Sequence, residues 1–308
     1  MSLFAKCGVS LFLLLILPAV SAASTEFSRT QVLFGNVPVT ITIRASAEKR
    51  EKAFAAMTGA FETARAIGDE VSELVPTSDV SRLNHAGVEG VKVGRHLLRI
   101  LQRARKISEL TDGAFDVTFA SKKKGVSYRD IEIDAAKSRV RFRRAGVRIG
   151  VSGIAKGYIV DRMGDLLRKR GFRSFLINAA GDILAKGTWE VGIADPRSRT
   201  REALCTVTLK DRAISTSGTY ERGKHILDPR TKKVVSHFAG VSVIADRSWM
   251  TDALGTAFFV GRQRDVEQWI KNFEGVSAIV IGRDGCSIFP SASWHSFPSS
   301  CDAGGSRW

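Results

Sequence analysis

The pattern of hydrophobic and polar residues predicts strands separated by long helices. Apolar residues recur at every second position within 32–43, which predicts a strand. The apolar spacing changes to three or four positions over 47–74 and again over 94–111, which predicts two amphipathic helices. Between these helices, Pro76–Asp79 predicts a break and Ser81–Asn84 a turn.

The second half of the chain continues with shorter elements. Strands are predicted over 128–133, 139–142, 175–177, 189–194, 203–209, 213–217, 241–244 and 277–281. Helices are predicted over 250–260 and 264–272. Because long helices interrupt the strands without a regular strand–helix–strand alternation, the expected class is α+β, with antiparallel or mixed sheets and flanking helices.

The two ends of the chain differ from this pattern. Leu11–Leu17 is almost wholly apolar, and small residues at Val20–Ala22 follow it. This arrangement predicts a secretory signal over 1–22, because the apolar run is too short for a permanent membrane span. We expect export to the periplasm, with retention of the signal as an anchor as the alternative. The predicted domain is 23–290, and a Ser/Gly/Pro-rich tail follows over 291–308.

The chain is strongly basic, with 47 Lys+Arg against 31 Asp+Glu and a net charge of +16. Such a surface would attract nucleotides, acidic partners or the anionic headgroups of a membrane. The sequence contains no recognisable nucleic-acid module, and its aromatic residues are not interleaved with the basic clusters. Nucleic acid is therefore not a predicted partner.

Three cysteines remain after the signal: Cys205, Cys286 and Cys301. In an oxidising compartment Cys286 and Cys301 could pair and hold the C-terminal tail, which would leave Cys205 single and buried. There is no Cys-x-x-Cys or His/Cys metal spacing, so a structural zinc site is not predicted.

The glycine-rich segment Gly150–Asp161 is the first candidate for chemistry. It carries Gly150, Gly153 and Gly157 around Lys156, and a helical apolar pattern follows. A glycine-rich turn that enters a helix exposes backbone N–H groups to a phosphate, and lysine adds positive charge. The segment therefore suits a pyrophosphate, although it matches neither the P-loop nor the dinucleotide-binding spacing. The alternative is a tight turn whose glycines serve only packing.

Two further stretches carry polar groups. Asp252 and Thr256 share one face of the predicted helix, and a carboxylate with a hydroxyl suits Mg²⁺. Alone, this pair is more often a helix-capping arrangement. Ser215–Tyr220 is rich in hydroxyl groups and precedes His225, which titrates near neutral pH. A single histidine beside an Asp-Pro turn is usually structural.

Taken together, these stretches resemble one family in sequence order. The motifs are VSRLN (Val80–Asn84), DGAFDVT (Asp112–Thr118), GIAKGYIVD (Gly153–Asp161), AGDILAKG (Ala180–Gly187), GIADPR (Gly192–Arg197), STSGTYER (Ser215–Arg222), HILDPRT (His225–Thr231) and TDALGTAFFVG (Thr251–Gly261). They are similar to those of the ApbE family of FAD:protein FMN transferases. Any one motif is weak, but eight in order are specific.

The resemblance implies an ApbE-like α+β fold of two interlocked lobes that binds FAD as substrate. The implied activity is Mg²⁺-dependent transfer of FMN from FAD to a Thr or Ser hydroxyl of an acceptor protein, with release of AMP. The acceptor would be a flavoprotein of a periplasmic or membrane redox complex. The implied FAD contacts are Ala114, Phe115, Asp116, Lys156, His225 and Ile226. The implied Mg²⁺ ligands are Asp252, Thr256 and a backbone oxygen of Gly153.

Phosphoryl-transfer chemistry then suggests a role for each catalytic candidate. His225 is the first candidate for the base that deprotonates the acceptor hydroxyl, Asp116 is the alternative, and Lys156 supplies fixed positive charge.

The chain departs from the family pattern at several positions. Gly150 stands where members often carry aspartate, and Leu74 where they carry a flavin-facing tyrosine. Ala179–Ala180 replaces a glycine-containing pair, and Thr231–Lys232 replaces a common Thr-Gly. These changes predict an altered flavin pocket. Two alternatives therefore stay open: hydrolysis of FAD to FMN and AMP, and a non-catalytic FAD-binding or delivery protein.

Overall fold

A computed structural model describes residues 24–198, 203–218, 226–282 and 285–291. The predicted signal 1–22, His225 and nearly all of the predicted tail lie outside the described residues. Within the described ranges, no helix is long and apolar enough to cross a membrane.

The fold is organised around an eight-stranded sheet in which all neighbouring strands are antiparallel. Its strands, in spatial order, are β1 (Thr25–Leu33), β2 (Val37–Ala45), β6 (Phe175–Ala179), β7 (Asp182–Lys186), β10 (Ala213–Gly218), β11 (Gly240–Ala245), β12 (Ser277–Ile281) and β13 (Cys286–Phe289). A three-stranded sheet contains β3 (Val91–Lys92), β5 (Arg139–Phe142) and β4 (Ile131–Asp134). A separate ribbon pairs β8 (Thr188–Ala194) with β9 (Ala203–Lys210).

The described α-helices flank this large sheet. They are α1 (Arg50–Val71), α2 (Asp79–Ala86), α3 (Arg95–Leu110), α4 (Ser152–Lys169), α5 (Ser248–Val260) and α6 (Gln263–Trp269). Helix α4 packs against both α1 and α5, and α5 also lies on β10 and β11. The α4–α5 pair therefore brings two helices together beside the sheet centre.

Both faces of the sheet are buried. On β11, Val241 and Val243 belong to the large core under the helices, whereas Ile244 belongs to a smaller cluster on the opposite face. The β8–β9 ribbon covers that smaller cluster with side chains such as Trp189 and Val207. Strands buried on both faces read as continuous apolar runs, which explains the run at 241–244.

The structure confirms the predicted α+β class and the two long helices. It also confirms the strand after Val37, but the predicted start at residue 32 was wrong, because a separate hairpin partner β1 precedes a turn at 34–36. β1 is an edge strand with mainly exposed polar residues, so its sequence lacks a clear period of two. The predicted turn at Ser81–Asn84 was also wrong. These residues lie within α2, which Ser78 caps by accepting a hydrogen bond from the Ser81 N–H at 3.0 Å.

The cysteines partly follow the prediction. Cys286 is disulfide-bonded, and its predicted partner Cys301 lies outside the described residues. Cys205 is a free thiol and is partly exposed rather than fully buried. Burial of its inner side raises the pKa of this thiol.

Candidate active site

One cavity of about 1120 Å³ brings the candidate site residues together. The candidates that line it are Ala114, Phe115, Asp116, Gly153, Lys156, Ile226, Asp252 and Thr256. They come from the loop after α3, from α4, from α5 and from the segment before Pro229. His225 lies outside the described residues, so its role as a base stays a prediction.

The floor of this cavity is a close contact between α4 and α5 at Gly157. A Cβ atom on Gly157 would overlap the carbonyl oxygen of Ser248 and lie 2.9 Å from the Cβ of Asp252. The Gly157 N–H donates a hydrogen bond of 2.9 Å to Asp252 Oδ2. Gly157 therefore serves packing and holds the Asp252 carboxylate, which agrees with the packing interpretation of this glycine.

This hydrogen bond affects Gly153, one turn earlier in α4. In a regular α-helix, the Gly157 N–H bonds to the carbonyl oxygen of Gly153. Because Asp252 competes for that donor, the Gly153 carbonyl oxygen has capacity for another partner. A Cβ on Gly153 would lie 3.6 Å from Thr256 Oγ1, so Gly153 and Thr256 are neighbours across the two helices. Gly153, Asp252 and Thr256 are thus neighbours at the contact between α4 and α5.

The charged groups of the floor are two carboxylates and one ammonium. Lys156 Nζ lies 2.9 Å from Asp182 Oδ2, and Asp182 is almost fully buried. Burial and the nearby Asp182 carboxylate raise the pKa of Asp252 well above its ordinary value, although Lys156 acts in the opposite direction. One cation does not balance two desolvated carboxylates, so the floor is electrostatically suited to a further cation.

These residues fit a magnesium ion. Asp252 supplies a buried carboxylate, Thr256 a hydroxyl and Gly153 a carbonyl oxygen, all hard oxygen donors. Thr256 Oγ1 makes a long hydrogen bond of 3.4 Å to the Asp252 carbonyl oxygen. Among the described residues there is no group of three or more His, Cys, Asp or Glu side chains that could hold a metal. A site with so few protein ligands is typical of Mg²⁺, because this ion usually keeps waters and substrate phosphate in its coordination shell.

The N-terminus of α4 corrects one expectation. Its first N–H groups were predicted to face a pyrophosphate, but Glu73 occupies them: its Oε1 accepts from the Val151 N–H at 3.1 Å, and Ser152 N–H also donates to this carboxylate. A Cβ on Gly150 would lie 2.7 Å from Glu73 Oε1, so the carboxylate fills the space beside Gly150. Lys156, one turn inside the helix, is therefore the cationic group that α4 offers to the cavity.

Three hydrogen bonds from nearby residues of the chain hold the Asp116 carboxylate in place. Its Oδ1 accepts from the Thr118 N–H at 2.7 Å and from the Thr118 hydroxyl at 2.8 Å, and its Oδ2 accepts from the Tyr128 N–H at 2.8 Å. Burial raises the pKa of Asp116 above its ordinary value, although these hydrogen bonds oppose the shift. A carboxylate with three local donors organises the loop around Ala114 and Phe115, and this geometry disfavours Asp116 as the base.

The hydroxyl-rich stretch divides into two parts. Ser215 Oγ is buried 2.7 Å from Thr251 Oγ1, which joins β10 to α5 and is structural. Thr216 and Ser217 line the cavity. Tyr220 lies outside the described residues.

Sequence reasoning missed two acidic residues of the site, Asp182 and Glu73. Asp182 follows the turn at Ala180–Gly181 and begins β7. The AGD of the AGDILAKG motif was the available signal for it. Nothing in the sequence indicated Glu73.

The outer wall of the cavity is apolar and exposed. Leu74 is 91% exposed, and Val32 is 63% exposed. Phe34, Phe119 and Leu227 line the same cavity and are each partly exposed. The cavity therefore combines a charged floor with an apolar rim, which suits a ligand with a charged part and a large aromatic part.

Comparisons with known proteins agree with this arrangement. Residues 36–280 match the model of the ApbE family. The FAD:protein FMN transferase of Klebsiella pneumoniae is 30% identical over 214 residues, which cover 59% of this chain and 68% of that protein. The FAD:protein FMN transferase of Treponema pallidum is 28% identical over 258 residues, which cover 67% of this chain and 71% of that protein.

Solved structures show the same fold. The ApbE protein of Thermotoga maritima superposes with a TM-score of 0.76 at 26% identity, covering 87% of this chain and 98% of that one. The flavinyl transferase ApbE of Pseudomonas stutzeri gives a TM-score of 0.75 at 24% identity, covering 87% and 95%. The family model, the relatives and the fold agree, and the chain belongs to the ApbE family.

Proposed function

We propose that this protein is an exported FAD:protein FMN transferase. It transfers FMN from FAD to a Thr or Ser hydroxyl of an acceptor protein and releases AMP. The observation that carries the proposal is that Lys156, Asp252, Thr256 and Gly153 meet in one large cavity. The similarity to relatives named for this activity supports it.

The cavity matches the two chemical parts of FAD. The diphosphate would lie on the charged floor, near Lys156 and Asp252, and the flavin ring against the apolar rim. Leu74 offers aliphatic rather than aromatic contact to the ring, so we expect weaker stacking on this side than a tyrosine would give. A charged floor and an apolar rim together orient the dinucleotide in one direction.

The reaction moves one phosphorus atom between two oxygen atoms. The acceptor hydroxyl oxygen attacks the phosphorus of the FMN half, the bond from that phosphorus to the bridging oxygen breaks, and AMP leaves with the electron pair. Lys156 is fixed beside Asp182 and would place its positive charge near phosphate oxygens that gain charge in the transition state. Asp252, Thr256 and Gly153 would hold Mg²⁺, which supplies Lewis acidity to phosphoryl transfer when bound.

The proton of the acceptor hydroxyl requires a base. His225 directly precedes Ile226 in the sequence, and Ile226 lines the cavity. The hydrogen bonds that hold Asp116 favour His225 over it. We therefore assign the base to His225 as part of the proposal, with an expected contribution of about 10²–10⁴-fold to the rate.

Export follows from the sequence features at the N-terminus. Leu11–Leu17 and the small residues at Val20–Ala22 direct the chain to the periplasm in this proposal. The acceptor is then a periplasmic or membrane-bound redox protein.

A single incubation distinguishes the proposed activity from its alternatives. The protein is mixed with FAD, Mg²⁺ and a threonine-containing acceptor protein, and the products are separated by mass spectrometry and in-gel flavin fluorescence. Transfer gives covalent FMN on the acceptor and an equal amount of AMP. Free FMN with AMP would instead show a hydrolase, and unchanged FAD bound to the protein would show a carrier.

A further inference from the structure

A second cavity, of about 840 Å³, lies at the other end of α4 and is lined only by charged residues. Its cations are Arg103, Arg162, Arg168, Lys169, Arg173 and Arg247. The only acidic residue of the lining is Asp165. We call this depression the arginine cavity.

The arginine cavity is separate from the candidate active site. The two cavities share no lining residue. Arg168 lies about three turns beyond Lys156 on α4, which is roughly 18 Å along the helix axis. The proposed flavin chemistry therefore does not explain this cluster of cations.

The carboxylates near this cavity are too few to balance its arginines. Asp165 Oδ2 lies 2.6 Å from Arg162 Nη2 and 3.4 Å from Arg247 Nη2. Asp161 is buried beneath, 3.3 Å from Arg247 Nε, and also accepts the N–H groups of Ser248 and Trp249. Asp165 Oδ1 also lies 3.8 Å from Arg168 Nη2, so these two carboxylates are shared among three arginines.

Arg103 is the least compensated of these cations. No carboxylate in the described part of the chain forms an ion pair with it, and its Nη1 atom is buried with no hydrogen-bond partner there. Its guanidinium carbon lies 4.9 Å from the ring centre of Trp249 and 5.2 Å from that of Tyr158. Burial and the charge of Arg162 lower the pKa of Arg103, which reflects the cost of holding this cation here.

Arg162 adds a second unsatisfied donor. Its Nε atom is also buried without a hydrogen-bond partner among the described residues, and its guanidinium carbon is 5.3 Å from the Tyr158 ring centre. Donors of this kind gain most from an ionised acceptor, because charge-assisted hydrogen bonds are the strong ones.

We propose that the arginine cavity binds a compact anion with more than one phosphate charge. Guanidinium groups present paired donors that match phosphate oxygens, and several of them converge here. Every lining residue that the structure describes is charged and none offers an apolar wall for a nucleoside base, so the recognised group is the phosphate itself. Free pyrophosphate-like anions and the phosphates of anionic lipid headgroups share this chemistry.

The test measures binding of inorganic pyrophosphate by titration calorimetry. The full protein is first saturated with FAD in the absence of divalent cations. The bound FAD keeps pyrophosphate out of the candidate active site, the cavity of about 1120 Å³ that we call the flavin cavity. The double variant Arg168→Gln/Arg173→Gln removes two exposed cations of the lining, and Lys210→Gln/Lys271→Gln removes two exposed cations elsewhere. We expect the first pair to weaken pyrophosphate binding about 10-fold or more and the control pair to leave it unchanged.

Three results would overturn the proposal: no binding to the wild type, equal weakening in both double variants, or displacement of FAD by the titrated pyrophosphate. FMN transfer by Arg168→Gln/Arg173→Gln should equal that of the wild type, because neither residue lines the flavin cavity. A loss of transfer in a variant with unchanged thermal stability would contradict a separate site.

Vesicles distinguish the two sources of the phosphate. The same proteins are sedimented with phosphatidylcholine vesicles that contain or lack cardiolipin, a lipid whose headgroup carries two phosphates. If the wild type sediments only with the anionic vesicles and Arg168→Gln/Arg173→Gln does so less than the control variant, the phosphate is that of a lipid surface. Pyrophosphate binding without vesicle binding supports a free anion.

Discussion

Helix α4 carries two charged regions with opposite balance. Near its start, Lys156 is outnumbered by the buried carboxylates of Asp182 and Asp252. Near its end, Arg162 and Arg168 belong to a lining in which cations outnumber carboxylates. Burial makes the first imbalance expensive, whereas the second region combines buried guanidinium atoms of Arg103 and Arg162 with the exposed Arg168, whose charge water screens. Both regions are therefore suited to a counter-ion, a cation in the first and an anion in the second.

The strongest way to break this comparison is to remove the carboxylate of Asp252. In Asp252→Asn, we expect FMN transfer to fall by about 10²-fold or more, because the cavity would lose the charged ligand of the proposed metal site. Transfer is measured as covalent flavin formed on the acceptor per unit time. The fold should survive, because the amide oxygen can still accept the Gly157 N–H.

The arginine cavity supplies the matched control for this variant. Arg168→Gln/Arg173→Gln also changes charge beside α4 but should keep the wild-type transfer rate. If Asp252→Asn transferred FMN as fast as the wild type at saturating Mg²⁺, the proposed metal site would be wrong.

The second test addresses the helix contact beneath the flavin cavity. Gly157→Ala should lower the free energy of unfolding by about 2 to 3 kcal/mol, because the added methyl group overlaps the backbone of Ser248. Gly59→Ala on α1 is the control, since its Cβ would stand 3.8 Å from Leu166 Cδ2, an ordinary contact. We expect the control to be neutral or to stabilise by up to about 1 kcal/mol. Urea denaturation of both variants measures the difference, and equal effects would show that the close contact does not exist.

The third test uses the pH dependence of stability at Glu73. Burial raises the pKa of Glu73 in the folded protein above the ordinary value of 4.5. The folded state then holds this proton more tightly than the unfolded state, so the stability that it contributes is present below about 4.5 and is lost as pH rises through the folded pKa. Glu73→Gln does not titrate, and its stability relative to wild type should increase with pH across that window.

A matched variant isolates this effect. Glu62→Gln removes an exposed carboxylate from α1, which ends before Glu73, and is the control for the loss of one surface charge. Thermal melts at a series of pH values provide the data. Parallel curves for Glu73→Gln and wild type would contradict a raised pKa of Glu73 in the folded protein.

The smallest expected effect concerns the turn that presents Asp182 to Lys156. Ala180 has φ of 49° and Gly181 has φ of 91°, so both turn residues are left-handed. An alanine is strained there, and Ala180→Gly should raise the free energy of unfolding by about 0.5 kcal/mol after the entropy of glycine is subtracted. Lys186→Gly, a strand position outside the turn, should destabilise instead. A loss of stability in Ala180→Gly would show that the turn is not strained.

The sequence predicted those parts of the fold that depend on local periodicity. Helices α1 and α3 are long and amphipathic, and their apolar spacing was sufficient. β1 and α2 were missed because β1 is a polar edge strand and α2 has only eight residues. Their positions depend on neighbouring strands and helices rather than on their own pattern.

The same distinction applies to the site. Asp252 and Thr256 were predicted as a pair, because their spacing of four places them on one helix face. The contact of Asp182 with Lys156 requires β7 to pack beside α4, which spacing does not reveal. Glu73 reaches Val151 across 78 positions in sequence, so no local pattern could show that it occupies the N-terminus of α4.

The backbone contact at Gly157 has a consequence for how the protein is assembled. Asp252 and Lys156 are carried by two helices that touch without intervening side chains, so their separation is fixed once the hydrophobic core has formed. In the proposed reaction, the phosphate would meet charges that need no reorganisation during the chemical step. The charged floor is therefore assembled when the core folds. Because a magnesium ion would bind only the folded protein, its binding there should raise the melting temperature of the entire domain.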